Sequence, residues 1–140
     1  MNQAVICAYV RSPFTPASKG ELARVRPDDL LAQVLKGLLG KVKLNTADIE
    51  DVLVGCAFPE GEQGFNIARM ASLLAGIPNT AGGATVNRFC GSSMETIHMA
   101  AGKIALGAGE LFISAGVESM SRVPMGGFNP LPNPALPTIH

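Results

Sequence analysis

The sequence predicts an α/β protein in which parallel strands alternate with helices. Short apolar runs that end at glycine or at polar residues are typical of buried strands, and longer runs with apolar residues at helical spacing separate them. Hydrophobic residues make up 47% of the 140 residues, which is enough for a packed core. Alternation of this kind implies right-handed crossovers, a layered fold and ligands near the carboxyl ends of the strands.

The first predicted elements are a strand and a helix. Residues 4–10 form a nearly unbroken apolar run, which predicts a strand buried on both faces. After a turn-rich stretch, Pro27 is suited to the first position of a helix and Gly40 to its end. The apolar positions of this helix recur at helical spacing: Leu30, Leu31, Val34, Leu35, Leu38 and Leu39.

The middle of the chain predicts a second strand and a second helix. Thr46 can cap a short turn before a strand over residues 52–54, which ends at Gly55. Asn66 can cap a helix that continues to residue 74 and is closed by Gly76 and the proline that follows shortly after it.

The last predicted elements are a strand over residues 84–89, a helix over 92–106 and a strand over 111–115. The helix is rich in glycine, serine and alanine, so we expect it to be buried between layers. Beyond residue 121 prolines accumulate and no periodicity survives. We therefore predict an α/β domain over residues 1–121 and the truncated start of a loop region over 122–140, as in the front part of a longer protein.

Composition argues against several classes of partner. Lysine plus arginine equals aspartate plus glutamate at 11 each, and no basic run is visible, so nucleic acid or an anionic membrane is a poor candidate. The N-terminus lacks the features of a signal peptide, and no segment has the roughly 20 apolar residues of a membrane span. We expect a soluble, cytoplasmic protein.

The cysteines predict neither a disulfide framework nor a zinc site, because there are three at wide spacing without a CxxC pair. Cys7 and Cys56 lie in or beside predicted strands and are expected to be small buried hydrophobes. Cys90 lies at the first turn of the third helix, where unsatisfied N–H groups and the macrodipole favour the thiolate. It is a candidate nucleophile, and burial beside a Gly-Ser turn is the alternative.

No base for this nucleophile can be found in the sequence. His98 lies eight residues along the same helix, about 12 Å away at 1.5 Å per residue, and is expected to be a packing or surface residue. His140 ends the proline-rich tail. Ser92 and Ser93 are expected to satisfy free N–H groups of the helix. Without a carboxylate pair, phosphate loop or metal cluster, the visible chemistry is half of a catalytic site.

Three blocks in this order resemble the thiolase family of acetyl-CoA acetyltransferases and 3-ketoacyl-CoA thiolases. They are residues 64–69 followed by 73–78, the stretch 86–93 around Cys90, and the stretch 115–121, which reads Ala-Gly-Val-Glu-Ser-Met-Ser. The resemblance covers essentially the whole chain, but thiolases are much longer. It implies the N-terminal half of a layered thiolase-like fold, with a mostly parallel sheet and a buried nucleophile helix.

The resemblance implies that Cys90 carries the acyl group in thiolytic cleavage of a 3-ketoacyl-CoA, or in the reverse Claisen condensation. Acyl-CoA and CoA would be the substrates, and no metal or other cofactor would be needed. The resemblance also implies a homodimer or homotetramer that acts in fatty acid metabolism. The family's base histidine, second cysteine and Asn-Glu-His-type motif have no match here, so only Cys90 is carried over. Ser93 stands where the family usually has glycine or another small residue, which could alter packing beside the nucleophile.

Two other functions remain open. A ketoacyl-synthase-type condensing enzyme uses a cysteine at the same topological position, although the block at 118–121 favours a thiolase. A thiolase-like domain could also bind acyl-CoA or lipid, or assemble with partners, without turnover. Residues 1–140 alone are expected to be inactive or nearly so, because the proton acceptor and most of the pocket are missing.

Overall fold

The computed structural model describes residues 2–136 and confirms the α/β fold. Three helices and three strands alternate along this part of the chain: α1 (Pro27–Lys41), β1 (Asp51–Gly55), α2 (Ile67–Ala75), β2 (Gly82–Val86), α3 (Ser92–Ala105) and β3 (Phe112–Gly116). Short 3-10 turns at Glu21–Arg24, Thr46–Asp48 and Gly61–Gln63 connect them. Among the described residues, no helix is long and apolar enough to cross a membrane.

The sheet is parallel, with β1 between β2 and β3. In its register, Gly55 lies beside Val86 on one side and Gly116 on the other. The carboxyl ends of all three strands therefore meet at one edge, and the loops that follow them are neighbours.

Helices cover both faces of the sheet. Val52 and Val54 of β1 are fully buried in a core with residues of α1 and α2. Gly55 faces the other side, where its α-carbon lies against the first turn of α3. Since side chains alternate along a strand, this pattern explains why β1 reads as a continuous apolar run.

Helix termini follow the predicted chemistry in part. α1 begins at Pro27, as predicted, but it continues through Gly40 to Lys41. α2 ends at Ala75, and Gly76, its C-cap, adopts the left-handed conformation with a φ of 82°. Asn45 caps the turn before β1 by accepting the N–H of Ala47, so the prediction that Thr46 is the cap is wrong.

The predicted strand over residues 4–10 is absent. This segment pairs with no strand in the described part of the chain, and Val5, Ile6 and Tyr9 are more than 70% exposed. A strand needs a hydrogen-bonded neighbour, and here the segment is held instead by Lys41, whose Nζ donates to the Tyr9 carbonyl (3.1 Å). Cys7 is exposed as a result, so its predicted burial is also wrong.

Helix α3 is covered on one side only in the residues described. Ser92 and Thr96 face the sheet and are buried, whereas Met94 and Ile97 are 64% and 45% exposed. The expected burial between two layers is therefore not seen, because only the sheet packs on it. Residues 117–135 contain turns and bends but no helix or strand.

Candidate active site

The candidate site is the turn that joins β2 to α3 and carries Cys90. α3 begins at Ser92, as predicted, with Gly91 as its N-cap. Cys90 therefore precedes the helix by two residues, and it is exposed. Along the chain, it is the residue directly before the N-cap of α3.

Backbone and hydroxyl hydrogen bonds hold this turn. The N–H groups of Gly91 and Ser92 donate to the carbonyls of Arg88 and Phe89, each at 3.0 Å. The buried Ser92 hydroxyl accepts the Arg88 N–H (2.9 Å) and donates to the Phe89 carbonyl. Ser92 thus stabilises the turn, rather than the N–H groups of the helix as predicted. The N–H of Cys90 takes no part in these bonds.

Phe89 has an unusual backbone conformation next to Cys90. Its φ of 46° lies in the left-handed region, which residues other than glycine, asparagine and aspartate seldom adopt. The Asn87 side chain compensates by accepting the Phe89 N–H (2.9 Å). The Phe89 ring lies 6.1 Å from the ring of Phe58, in the loop after β1.

Two glycines let the start of α3 rest directly on the strands. A Cβ at Gly55 would lie 2.2 Å from the Ser93 nitrogen, and a Cβ at Gly116 would lie 2.6 Å from the Ser93 Cβ. Only residues without a side chain permit this approach. The glycines at the ends of β1 and β3 therefore fix the height of the Cys90 turn above the sheet.

Polar side chains from distant loops meet beside this turn. Glu118 accepts the Ala57 N–H (2.6 Å) through Oε2 and the Gln63 side-chain N–H (2.7 Å) through Oε1. Gln63 is fully buried, and its own oxygen accepts the Ser119 N–H (2.6 Å). Together these bonds join the loops that follow β1 and β3.

Cys56, at the end of β1, is buried as predicted. Burial, followed by the negative charge of Glu118, raises the pKa of the Cys56 thiol to about 12. Its sulfur lies 3.9 Å from Glu118 Oε1, which a neutral thiol can approach as a weak donor. Cys56 is therefore a structural thiol, in contrast to the exposed Cys90.

The structure places no histidine in the turn itself. His98 lies on α3 with its side chain 67% exposed and its Nδ1 3.9 Å from Glu95, which confirms the prediction of a surface residue. His140 lies outside the described residues. No group of three histidine, cysteine or acidic side chains suited to a metal ion is found between residues 2 and 136.

Sequence reasoning missed the roles of Asn87 and Gln63, and it used Glu118 only as part of a motif. Asn87 and Glu118 come shortly after the carboxyl ends of β2 and β3, where a polar residue can bond a neighbouring loop, and Gln63 lies further along the loop after β1. Their position after the strands was the only sequence feature that could have indicated these roles. The bonding partners, 30 or more residues away, could not be inferred from local spacing.

Comparison with known proteins identifies relatives of this arrangement. Residues 4–131 match the family described as Thiolase, N-terminal domain. The "3-ketoacyl-CoA thiolase" of Shewanella sp. (strain ANA-3) is 54% identical over 126 residues, covering 89% of this chain and 33% of that protein. The "3-ketoacyl-CoA thiolase" of Bacillus subtilis (strain 168) is 48% identical over 136 residues, covering 97% of this chain and 35% of that protein.

A solved structure has the same fold. The Bacillus anthracis acetyl-CoA acetyltransferase matches with a TM-score of 0.82 and 36% identity, covering 89% of this chain and 31% of that chain. The chain thus spans about a third of the length of these relatives. With its parallel sheet, its cysteine turn and a family match over 128 of 140 residues (4–131), the chain belongs to the thiolase family.

Proposed function

We propose that this chain carries the nucleophile of an acyltransferase that cleaves 3-ketoacyl-CoA with CoA, or runs the reverse Claisen condensation. The observation that carries the proposal is Cys90, an exposed thiol in a hydrogen-bonded turn at the carboxyl edge of a parallel sheet, two residues before a helix. Ligands of open α/β sheets bind at this edge. Cys56, by contrast, is buried and protonated.

In the proposed cleavage, the Cys90 thiolate attacks the 3-keto carbonyl carbon and forms a C–S bond. The tetrahedral oxyanion then collapses and the bond between C2 and C3 breaks. Its electron pair moves to the departing enolate, which takes up a proton and leaves as acetyl-CoA. The shortened acyl group stays on Cys90 as a thioester, which the thiolate of a second CoA attacks, releasing the acyl-CoA and restoring the Cys90 thiolate.

The turn itself offers a donor for the oxyanion. The Cys90 N–H is not used in the hydrogen bonds that hold the turn, so we propose that it donates to the oxygen of the carbonyl whose carbon is attacked by the Cys90 sulfur. We propose that the proton acceptor lies outside the described residues, because the His98 side chain is 67% exposed and lies beside Glu95 on the surface of α3. We accordingly propose that residues 1–140 alone have little or no turnover.

The relatives support a 3-ketoacyl-CoA substrate. Two proteins named 3-ketoacyl-CoA thiolase are 54% and 48% identical to the chain, whereas the acetyl-CoA acetyltransferase is 36% identical. The proposal takes CoA as a substrate and uses no metal or other cofactor. A homodimer or homotetramer in the cytoplasm remains part of the proposal.

The test uses the protein that carries this chain, incubated with CoA and either acetoacetyl-CoA or a longer 3-ketoacyl-CoA. We expect acetyl-CoA to form and an acyl adduct to appear on the Cys90 peptide by mass spectrometry. Cys90→Ala should lower kcat by roughly 10⁴-fold or more, as loss of a nucleophile does in other covalent catalysts. Cys7→Ser, which removes the other exposed thiol, is the matched control and should leave kcat unchanged.

Three results would overturn the proposal. Full activity in Cys90→Ala would exclude Cys90 as the nucleophile. Condensation primed by a malonyl thioester, without thiolysis, would indicate a ketoacyl-synthase-type enzyme. Acyl-CoA binding without turnover in either assay would indicate a non-catalytic domain.

A further inference from the structure

The Asn87 carboxamide joins the Cys90 turn to the loop that follows β1. Its Nδ2 donates to the Ala57 carbonyl (2.9 Å), and its Oδ1 accepts the N–H of Phe89 (2.9 Å). One side chain therefore bonds two backbone groups that are 32 residues apart. Both polar ends of the amide are used, so its orientation is fixed.

Ala57 is itself fixed from the other side. Its N–H donates to Glu118 Oε2 (2.6 Å), and Glu118 is bonded in turn by the buried Gln63 (2.7 Å). A continuous series of hydrogen bonds thus runs from Glu118 through Ala57 and Asn87 to Phe89. Because Phe89 precedes Cys90, the loop after β3 is connected to the turn that carries the thiol.

The bond to Phe89 opposes a backbone preference. Phe89 has a φ of 46°, and an L-residue with a Cβ is disfavoured in that region. Such outliers persist only where the surroundings hold them, and they are concentrated at functional sites. Without the Asn87 oxygen, Phe89 would lose a bond that holds its strained conformation, and Cys90 would move with it.

We propose that Asn87 is a positioning residue for Cys90, acting through Phe89, and that Glu118 anchors it through Ala57. The inference rests on the proposed function, since it concerns the direction in which the Cys90 thiol and N–H meet the substrate carbonyl. Neither Asn87 nor Glu118 is required to touch the substrate. Their effect is on geometry, and a misplacement of about 1 Å can lower a rate about 100-fold.

The decisive experiment measures single-turnover acylation of Cys90 and steady-state kinetics in the protein that carries this chain. Asn87→Ala removes both hydrogen bonds and should lower the acylation rate and kcat by about 100-fold, with little change in KM. Asn87→Asp keeps an acceptor for the Phe89 N–H but removes the donor to Ala57. Its rate should lie between those of wild type and Asn87→Ala, a partial rescue that a general loss of stability would not produce.

Two matched controls separate positioning from folding. Asn45 makes the same kind of side-chain bond to a backbone N–H (3.2 Å to Ala47), but before β1, at the opposite end of the strand. Asn45→Ala should leave kcat unchanged. If Asn87→Ala does not fold, Glu118→Gln replaces it, with Glu60→Gln as its control, because Glu60 accepts the N–H of Phe128 (2.7 Å) in another loop.

The outcomes of this inference and of the proposed function are distinct. If wild type acylates Cys90 but Asn87→Ala and Asn87→Asp do so at the wild-type rate, the positioning role is wrong and the nucleophile assignment stands. Where Asn87→Ala does not fold, a wild-type rate in Glu118→Gln overturns the positioning role equally. If wild type forms no adduct on Cys90, both are overturned.

Discussion

Replacing Gly55 by alanine should displace the nucleophile turn. A Cβ at this position would lie 2.2 Å from the Ser93 nitrogen and 2.4 Å from the Ser92 carbonyl carbon, whereas ordinary contacts begin at 3.4 Å. The start of α3 would have to move away from β1 by about 1.2 Å, the difference between 2.2 Å and 3.4 Å. Both crowded groups are backbone, so no side-chain rotation can relieve the clash, and we expect a loss of about 3 kcal/mol in stability.

The same shift should also lower activity. Cys90 is tied to Ser92 by the turn, so a movement of about 1 Å should decrease kcat by about 100-fold in the folded variant. The assay is guanidinium unfolding together with thiolysis at saturating substrate. Gly37→Ala is the control: a Cβ added there would meet no atom within 4 Å apart from its chain neighbours and the backbone of its own helix, and alanine inside α1 should stabilise the protein by about 0.5–1 kcal/mol. Unchanged stability and kcat in Gly55→Ala would show that α3 does not rest on β1 in this way.

Two further predictions concern pH. Burial and Glu118 raise the pKa of Cys56 from 9.0 to about 12, so its stabilising contribution is present below pH 9 and is lost as the pH rises from 9 to 12. The guanidinium midpoint of unfolding should fall over that range in wild type and fall less in Cys56→Ala. In a separate alkylation experiment, iodoacetamide at pH 8.5 should modify Cys7 but should modify Cys56 only after denaturant is added. Arg122 forms an ion pair with Glu62, in which its Nε donates to Glu62 Oε2 (2.8 Å). This hydrogen bond lowers the pKa of Glu62 below 4.5, so the stabilising contribution of the pair is present above pH 4.5 and is lost on further acidification. The difference in unfolding midpoint between wild type and Glu62→Gln should therefore shrink from pH 6 to pH 3, and a constant difference would contradict the ion pair.

The sequence predicted most of the fold because the sheet is buried and parallel. The run at 52–54 is apolar at every position, since both faces of β1 are covered, and Gly76 ends α2 because glycine tolerates a positive φ. The same reasoning failed for residues 4–10. An apolar run indicates side chains that are suited to burial, but it does not show that a neighbouring strand is present to pair with the segment.

The sequence predicted where Cys90 lies in the fold, but not how the turn around it is held. The pattern of a strand and a small-residue helix predicted that Cys90 lies in the turn between them. The left-handed conformation of Phe89 could not be predicted from the sequence, because phenylalanine is disfavoured in that conformation. Glu118 and Gln63 meet although they are 55 residues apart. Local spacing carries no information about such a contact, which exists only once parallel strands have brought their loops to one edge.

The direct contact of α3 with Gly55 and Gly116 also has a consequence for motion. Elsewhere a helix is separated from its sheet by side chains that can change rotamer and absorb small displacements. No side chain separates Gly55 from the backbone of Ser92 and Ser93, and only the short Ser93 side chain separates Gly116 from the helix. The first turn of α3 should therefore fluctuate with the sheet as one body, and backbone order parameters at residues 92 and 93 should match those of β1 rather than those of the exposed end of the helix near residue 105.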